Sequence, residues 1–166
     1  DDTEYAAFYG KYLALVPETD ILPALDSQLD ETLGFWRAIP EARGDACHPP
    51  YTWTVKQVIG HLIDGERIFA YRALRFGRGD PTPVPGFDEN EYAKAVDYTR
   101  FALADLVSEF EAVRRSTVWL FRNLPEAAWT RSGEANNSRV TVRALAFIIV
   151  GHVRHHNSIL RTRLAG

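Results

Sequence analysis

The stretch 141-TVRALAFIIVGHVRHHNSILRTRL-164 decides the fold, because its apolar residues recur every three or four positions. That spacing is the period of one face of an α-helix and predicts a long helix with a buried stripe. Leu145 and Ile149 lie on this stripe, and His152 and His156 interrupt it further along. A buried imidazole needs a polar partner, since an unpaired buried polar group is costly. We therefore expect this helix to carry a polar site into the protein interior.

Three further amphipathic stretches predict long helices, and each is followed by proline or glycine. The second of them opens with Thr54 and Gln57, the residues of a capping box. The proline-rich segment 80–90 predicts a long non-helical crossover. Together these features predict one all-α domain over residues 1–166, a four-helix bundle with one long crossover loop. The predicted helices cover 17–38, 54–76, 99–123 and 141–164, with a shorter amphipathic stretch at 4–15 and a possible short extended piece within 127–142.

Composition excludes several function classes. The chain has 166 residues, of which 46% are hydrophobic and 25% charged, and this is ordinary for one soluble domain. A net charge of −3 gives no sign of a nucleic-acid partner. No apolar run approaches the ~20 residues that cross a bilayer, so no membrane partner is expected. The single cysteine, Cys47, cannot form an intrachain disulfide, and a cytoplasmic location is expected.

Cys47 stands next to His48 in a segment that contains glycine and prolines. A cysteine beside a histidine can be a reactive thiol or a metal ligand. The flanking glycine and prolines favour a mobile connector instead.

Three histidines suggest a metal site. His152 and His156 are four residues apart, so they share one helix face at a spacing that suits one metal ion. His61 lies among apolar residues of the second predicted helix and should also point inward. An inward histidine can equally be a hydrogen-bonded core residue, so the spacing alone leaves both interpretations open. His155 can replace His156, support it by a hydrogen bond, or lie at a helix interface.

Three segments resemble the DinB/YfiT-like superfamily: 53-WTVKQVIGHLIDGER-67, 83-PVPGFD-88 and 151-GHVRHH-156. The resemblance runs in order through nearly the whole chain. It implies a four-helix bundle in which His61, His152 and His156 bind a divalent metal, zinc or nickel. It also implies a homodimer, and the chain's 4 Trp, 7 Tyr and 9 Phe exceed what one small bundle needs.

Functions differ within this superfamily. Some members transfer low-molecular-weight thiols such as bacillithiol, mycothiol or glutathione to electrophiles, and others are described as metal-dependent hydrolases. The resemblance thus implies a metal-dependent enzyme with a small-molecule substrate, and the first hypothesis is a thiol S-transferase. A metal-dependent hydrolase and a non-enzymatic, stress-related metal-binding protein are the alternatives.

Each chemistry asks for particular side chains near the metal. Hydrolysis needs a carboxylate base, and Asp64 is the candidate on the face of His61, whereas Glu66 points about 140° away and should pair elsewhere. Thiol transfer needs cationic groups for an anionic cosubstrate, and Arg72 and Arg163 are the candidates. Either arginine can instead be a helix-end residue that reaches solvent. The lack of an inward glutamate beside the histidine pair favours thiol chemistry.

Overall fold

The computed structural model describes residues 2–165 and is mainly helical. Short 3₁₀ turns lie at Asp2–Glu4, Ala7–Tyr9, Tyr98–Arg100 and Glu126–Ala128. The α-helices and strands are, in chain order, α1 (Gly10–Leu13), α2 (Ile21–Arg37), α3 (Glu41–Gly44), α4 (Val55–Gly77), α5 (Glu89–Ala95), α6 (Leu103–Arg122), β1 (Ser132–Ala135), β2 (Ser138–Thr141) and α7 (Val142–Leu164).

The four long helices α2, α4, α6 and α7 form a bundle, which confirms the predicted fold class. Helices α2 and α4 each pack against both α6 and α7. In cross-section the bundle is therefore a square with α2 and α4 at diagonally opposite corners. Gln28 bonds to the carbonyl of Val150, and Trp36, farther along α2, bonds to Asn157, so α2 and α7 run parallel. Apolar residues from the starts of α4 and α6 belong to one hydrophobic cluster, and those from the ends of both helices belong to the other. These two helices are therefore also parallel.

Caps explain where the helices begin. The predicted capping box is present, because the Thr54 hydroxyl accepts from Gln57 N and the Gln57 side chain accepts from Thr54 N. Thr141 caps α7 by the hydroxyl bond alone, accepting from Ala144 N. Asp20 caps α2 at Ile21, four residues after the predicted start at Pro17. The predicted third helix is shortened in a similar way, since the residues from Tyr98 form a 3₁₀ turn before α6.

Two shorter segments cover one side of the bundle. The stretch predicted at 4–15 contains a 3₁₀ turn and only one turn of α-helix. Its backbone lies against α7 at Gly151, where any Cβ would overlap the carbonyl of Tyr12. The crossover is extended up to Asp88, whose side chain caps the short helix α5.

The extended piece expected within 127–142 is a β-hairpin of β1 and β2. Asn136 and Asn137 form its turn with φ of 52° and 58°, a conformation that asparagine tolerates well. Val84 of the crossover bridges to Ala135, with Val84 N donating to Glu134 O at 2.9 Å. The hairpin therefore holds the crossover against the bundle.

A buried polar layer crosses the bundle between its two apolar clusters. Arg114 Nε and Nη2 donate to the two carboxylate oxygens of Glu66 at 2.6 and 2.8 Å, and both residues are buried. Arg114 Nη1 also donates to Gln28 Oε1, and Gln28 Nε2 donates to Val150 O. This layer joins all four long helices and confirms that Glu66 is paired away from the histidines.

Within residues 2–165, no helix is long and apolar enough to span a bilayer.

Candidate metal centre

The three predicted ligands converge in the structure. His61 projects from α4, and His152 and His156 project from successive turns of the neighbouring α7. Their possible ligand atoms all lie within 4.8 Å of one another. The Nε2 atoms of His61 and His152 are 2.9 Å apart, and the three ring centroids are separated by 4.8 to 4.9 Å. The three rings therefore form a compact triangle.

Gly65 brings α4 close to this triangle. A Cβ at Gly65 would lie 3.0 Å from Cε1 of His152, which is tighter than ordinary contact. A residue with a side chain would push the His152 ring away from α4. Glycine at this position, one helical turn beyond His61, therefore allows the two helices to present their imidazoles to the same point.

Burial keeps the histidines neutral. It lowers the pKa of His61 to about 4 and the pKa of His156 to about 3. It also holds the pKa of His152 well below the usual value, assisted by the nearby His156 and His61. Neutral imidazole is the form that binds a metal ion, so near pH 7 no proton has to leave before metal binds.

The donor set fits a divalent transition metal. Imidazole nitrogens bind zinc at ~2.0–2.1 Å, so two of them on one ion are roughly 3 Å apart, close to the observed Nε2 separation. Three protein ligands leave further positions for exogenous groups, as in catalytic zinc sites. Imidazole is also accepted by nickel, so the chemistry of the donors does not select the metal.

A cavity of ≈ 430 Å³ adjoins the triangle, and all three histidines line it. The N-terminal segment and the crossover supply much of its wall. Charged and polar groups are few and include Lys11, Arg72, Glu89 and Asn136. The rest of the lining is mainly aromatic and comprises Phe8, Tyr9, Tyr12, Trp53, Phe69 and Phe87.

The family model of the DinB superfamily matches residues 24–160, a range that contains the three histidines. The chain belongs to the DinB superfamily. No curated protein sequence matches it significantly.

A solved structure similar to this DinB-superfamily chain is that of YfiT from Bacillus subtilis. The TM-score is 0.69 and the sequence identity 17%, with 95% of this chain and 87% of YfiT covered. YfiT is described as a probable metal-dependent hydrolase with an unusual four-helix bundle topology. At this identity the likeness shows the fold alone.

His155 lies beside the three converging histidines of this DinB-superfamily site. Its ring packs edge-on against Tyr12 at 5.4 Å and against His156 at 5.1 Å. It lines the cavity, but its ligand atoms do not join the converging set. Of the three roles considered from the sequence, contact with an adjoining element describes this position best.

Of the other three predicted site residues, one lines the cavity and two do not. Arg72 is buried and lines the cavity. Asp64 is not among the cavity-lining residues and lies 3.9 Å from Arg67, and burial raises the pKa of its carboxyl. Arg163 also lies outside the cavity lining, because its guanidinium donates to the carbonyls of Trp53 and Ala46 instead.

Two charged cavity residues were not identified from the sequence. Glu89 follows the cap of α5, and its charge acts on the pKa values of both His61 and Tyr12. Lys11 lies in α1, with Nζ 4.3 Å from the ring centroid of Phe8. Neither residue lies on the helix stripe of the histidines, so helical periodicity gives no signal for them. For Glu89, the closest sequence feature was the motif at 83–88, which ends one residue before it.

Proposed function

We propose that this chain is a divalent-metal-dependent enzyme that transfers a low-molecular-weight thiol to an electrophilic small molecule. Zinc or nickel would be held by His61, His152 and His156. The observation that supports this proposal is a triangle of neutral histidines that opens into a cavity with aromatic walls and two cationic side chains. Such a site has room for a small organic substrate beside the metal ligands.

A bound divalent cation would lower the pKa of a thiol or water ligand, so that a nucleophile is available near neutral pH. The chain's own residues then divide the remaining tasks. Glu89 can accept the proton that the nucleophile loses. Arg72 and Lys11 favour an anionic cosubstrate, and the aromatic walls exclude water from the reacting groups.

Hydrolysis is the second candidate, and Glu89 is the observation that favours it. In the sequence, only the lack of an inward glutamate beside the histidine pair favoured thiol chemistry over hydrolysis. The structure supplies a carboxylate from the first residue of α5 instead, in the lining of the same cavity. A water molecule deprotonated with the help of Glu89 would attack an ester or amide in place of the thiol.

The experiment compares both chemistries on metal-loaded protein. Glutathione with 1-chloro-2,4-dinitrobenzene reports thiol transfer, and a nitrophenyl ester and an anilide report hydrolysis. We expect turnover with the thiol pair that disappears in His61→Ala and His152→Ala. Ester or amide turnover alone would support the hydrolase. Full metal occupancy with no turnover in either assay would favour a non-enzymatic metal-binding protein.

A further inference from the structure

We propose that Arg72 forms a carboxylate-binding subsite in the cavity, so that the substrate or cosubstrate of this site is a small carboxylate with an apolar or aromatic body. This inference rests on the proposed function for the identity of the cavity as the reaction site. It adds the chemical class of the bound molecule, which the three histidines do not determine.

Arg72 is a buried cation whose hydrogen-bonding groups are incompletely used. The residue is only 2% exposed. Its Nη2 atom donates to Pro85 O at 3.1 Å, whereas its buried Nε atom has no partner. In the part of the chain that the structure describes, no carboxylate forms an ion pair with Arg72. Because buried charges are normally paired, this guanidinium is missing an anion.

Two other buried cations in the bundle, Arg114 and Lys56, do have their anions. Arg114 is paired with Glu66, and Lys56 contacts the carboxylates of both Glu41 and Asp45. Arg163 also lacks a carboxylate, and its buried Nε is likewise without a partner, but its Nη2 donates to the carbonyls of Trp53 and Ala46 and it is absent from the cavity lining. Arg72 differs because it combines a missing anion with a position on the wall of a cavity that a ligand can enter.

The surroundings of Arg72 indicate what such a ligand looks like. The planar guanidinium matches a carboxylate, which accepts two parallel N–H groups. Its Cζ atom lies 5.9 Å from the ring centroid of Phe69, so the ligand next to it meets an aromatic wall. Lys11 adds a second positive charge to the lining. A carboxylate attached to an apolar or aromatic group therefore suits this part of the cavity.

The test uses benzoate as the probe and benzamide as its uncharged counterpart of similar shape. Both are titrated by calorimetry into zinc-loaded protein and into chelator-treated protein, because benzoate can also bind a metal ion directly. We expect benzoate to bind at least about tenfold more tightly than benzamide in both forms, the range of a hydrogen bond to a charged group. Arg72→Met should abolish this preference, and Arg72→Lys should retain part of it.

Arg75→Met provides the matched control on the same helix. Arg75 pairs with Asp80 and is not among the cavity-lining residues, so its loss should leave the preference unchanged. Circular dichroism and bound zinc report whether each variant folds and keeps the histidine site. Should Arg72→Met fail to fold, the comparison of Arg72→Lys with the wild type decides.

Three results would overturn the inference: no preference in the wild type, an undiminished preference in a folded Arg72 variant, or an equal loss in Arg75→Met. Binding at equilibrium does not depend on turnover, so the two proposals fail separately. A protein that transfers thiols without preferring benzoate removes the subsite alone. A protein that prefers benzoate through Arg72 but has no activity removes the proposed function alone.

Discussion

Two adjacent histidines of α7 provide a test of the metal site at the scale of single residues. The ligand atoms of His156 converge with those of His61 and His152, whereas those of His155 do not. We expect His156→Ala to raise the dissociation constant for zinc at least about 100-fold, because even groups that only support ligands are worth roughly 10–100-fold. His155→Ala should bind zinc nearly as the wild type does. Competition with a chromophoric chelator measures both constants, and equal effects would contradict the proposed ligand set.

Glu89 is the second residue-scale test, because it lines the cavity without belonging to the histidine triangle. If it accepts a proton from the nucleophile, Glu89→Gln should lower kcat about 100-fold, the lower end of what general base catalysis contributes. Bound metal should not change. The control is Glu91→Gln, two residues farther along α5, where the carboxylate is paired with Lys94 in solvent. Unchanged kcat in Glu89→Gln, measured with the assays above, would exclude this role.

The buried ion pair between α4 and α6 tests how these elements are held together. Removing one member of a buried pair leaves an uncompensated charge, so Arg114→Met should lower the free energy of unfolding by about 3–5 kcal/mol. Arg115→Met is the matched control, because Arg115 is exposed and an exposed pair is worth about 0–1 kcal/mol. Urea denaturation measures both. The double variant Glu66→Leu with Arg114→Met should recover much of the lost free energy of unfolding, because neither charge is then left unpaired. No recovery would show that the unpaired charge does not cause the destabilisation.

The elements that carry the histidines could be predicted because their signals are local. The Thr54 capping box and the spacing of His152 and His156 depend on residues within one or two helical turns. The short elements depend on distant contacts. The Tyr12 backbone is placed by its approach to Gly151, and the crossover is placed by the bridge between Val84 and Ala135. Neither contact has a signal within its own segment.

The candidate site could be predicted only in part for the same reason. Helical geometry correctly placed Glu66 away from His61, since that angle depends on α4 alone. It could not show where the cavity opens, because the N-terminal segment and the crossover form much of the wall. Asp64 therefore shares a helix face with His61 but lies outside the cavity lining. Glu89 lines the cavity but begins a short helix that has no apolar stripe from which its position could be predicted.

At the scale of the whole molecule, we continue to expect a homodimer. Tyr71 lies five residues beyond Glu66, and Trp119 lies five residues beyond Arg114, so the two aromatics are level on parallel neighbouring helices. They are 51% and 61% exposed, and Leu74 is 39% exposed on the next turn of α4.

Exposed large apolar side chains at one level of the bundle favour association with a second copy. Sedimentation at micromolar concentration should give twice 18.8 kDa, and Trp119→Ser should shift the protein toward monomer. The control Phe101→Ser changes an exposed aromatic outside these two helices. A wild-type monomer would contradict the expectation.

Acid should weaken the attachment to α7 of the loop that joins α1 to α2. Arg154 of α7 donates to Glu18 at 2.7 Å, and this hydrogen bond lowers the pKa of the Glu18 carboxyl to about 2. A carboxyl with a lowered folded-state pKa stabilises the fold fully above its unfolded value of about 4.5, and that stabilisation is lost as the pH falls toward 2. Both side chains are partly solvated, so the contribution is on the order of 1 kcal/mol or less.

Glu18→Gln isolates this contribution from those of other carboxylates. At pH 7 the variant should be less stable than the wild type toward urea, and the difference should shrink as the pH is lowered from about 4.5 toward 2. Glu126→Gln, at an exposed glutamate of a 3₁₀ turn, is the control and should show little difference at either pH. A difference between wild type and Glu18→Gln that does not change with pH would mean that packing, not the ion pair with Arg154, holds this loop on α7.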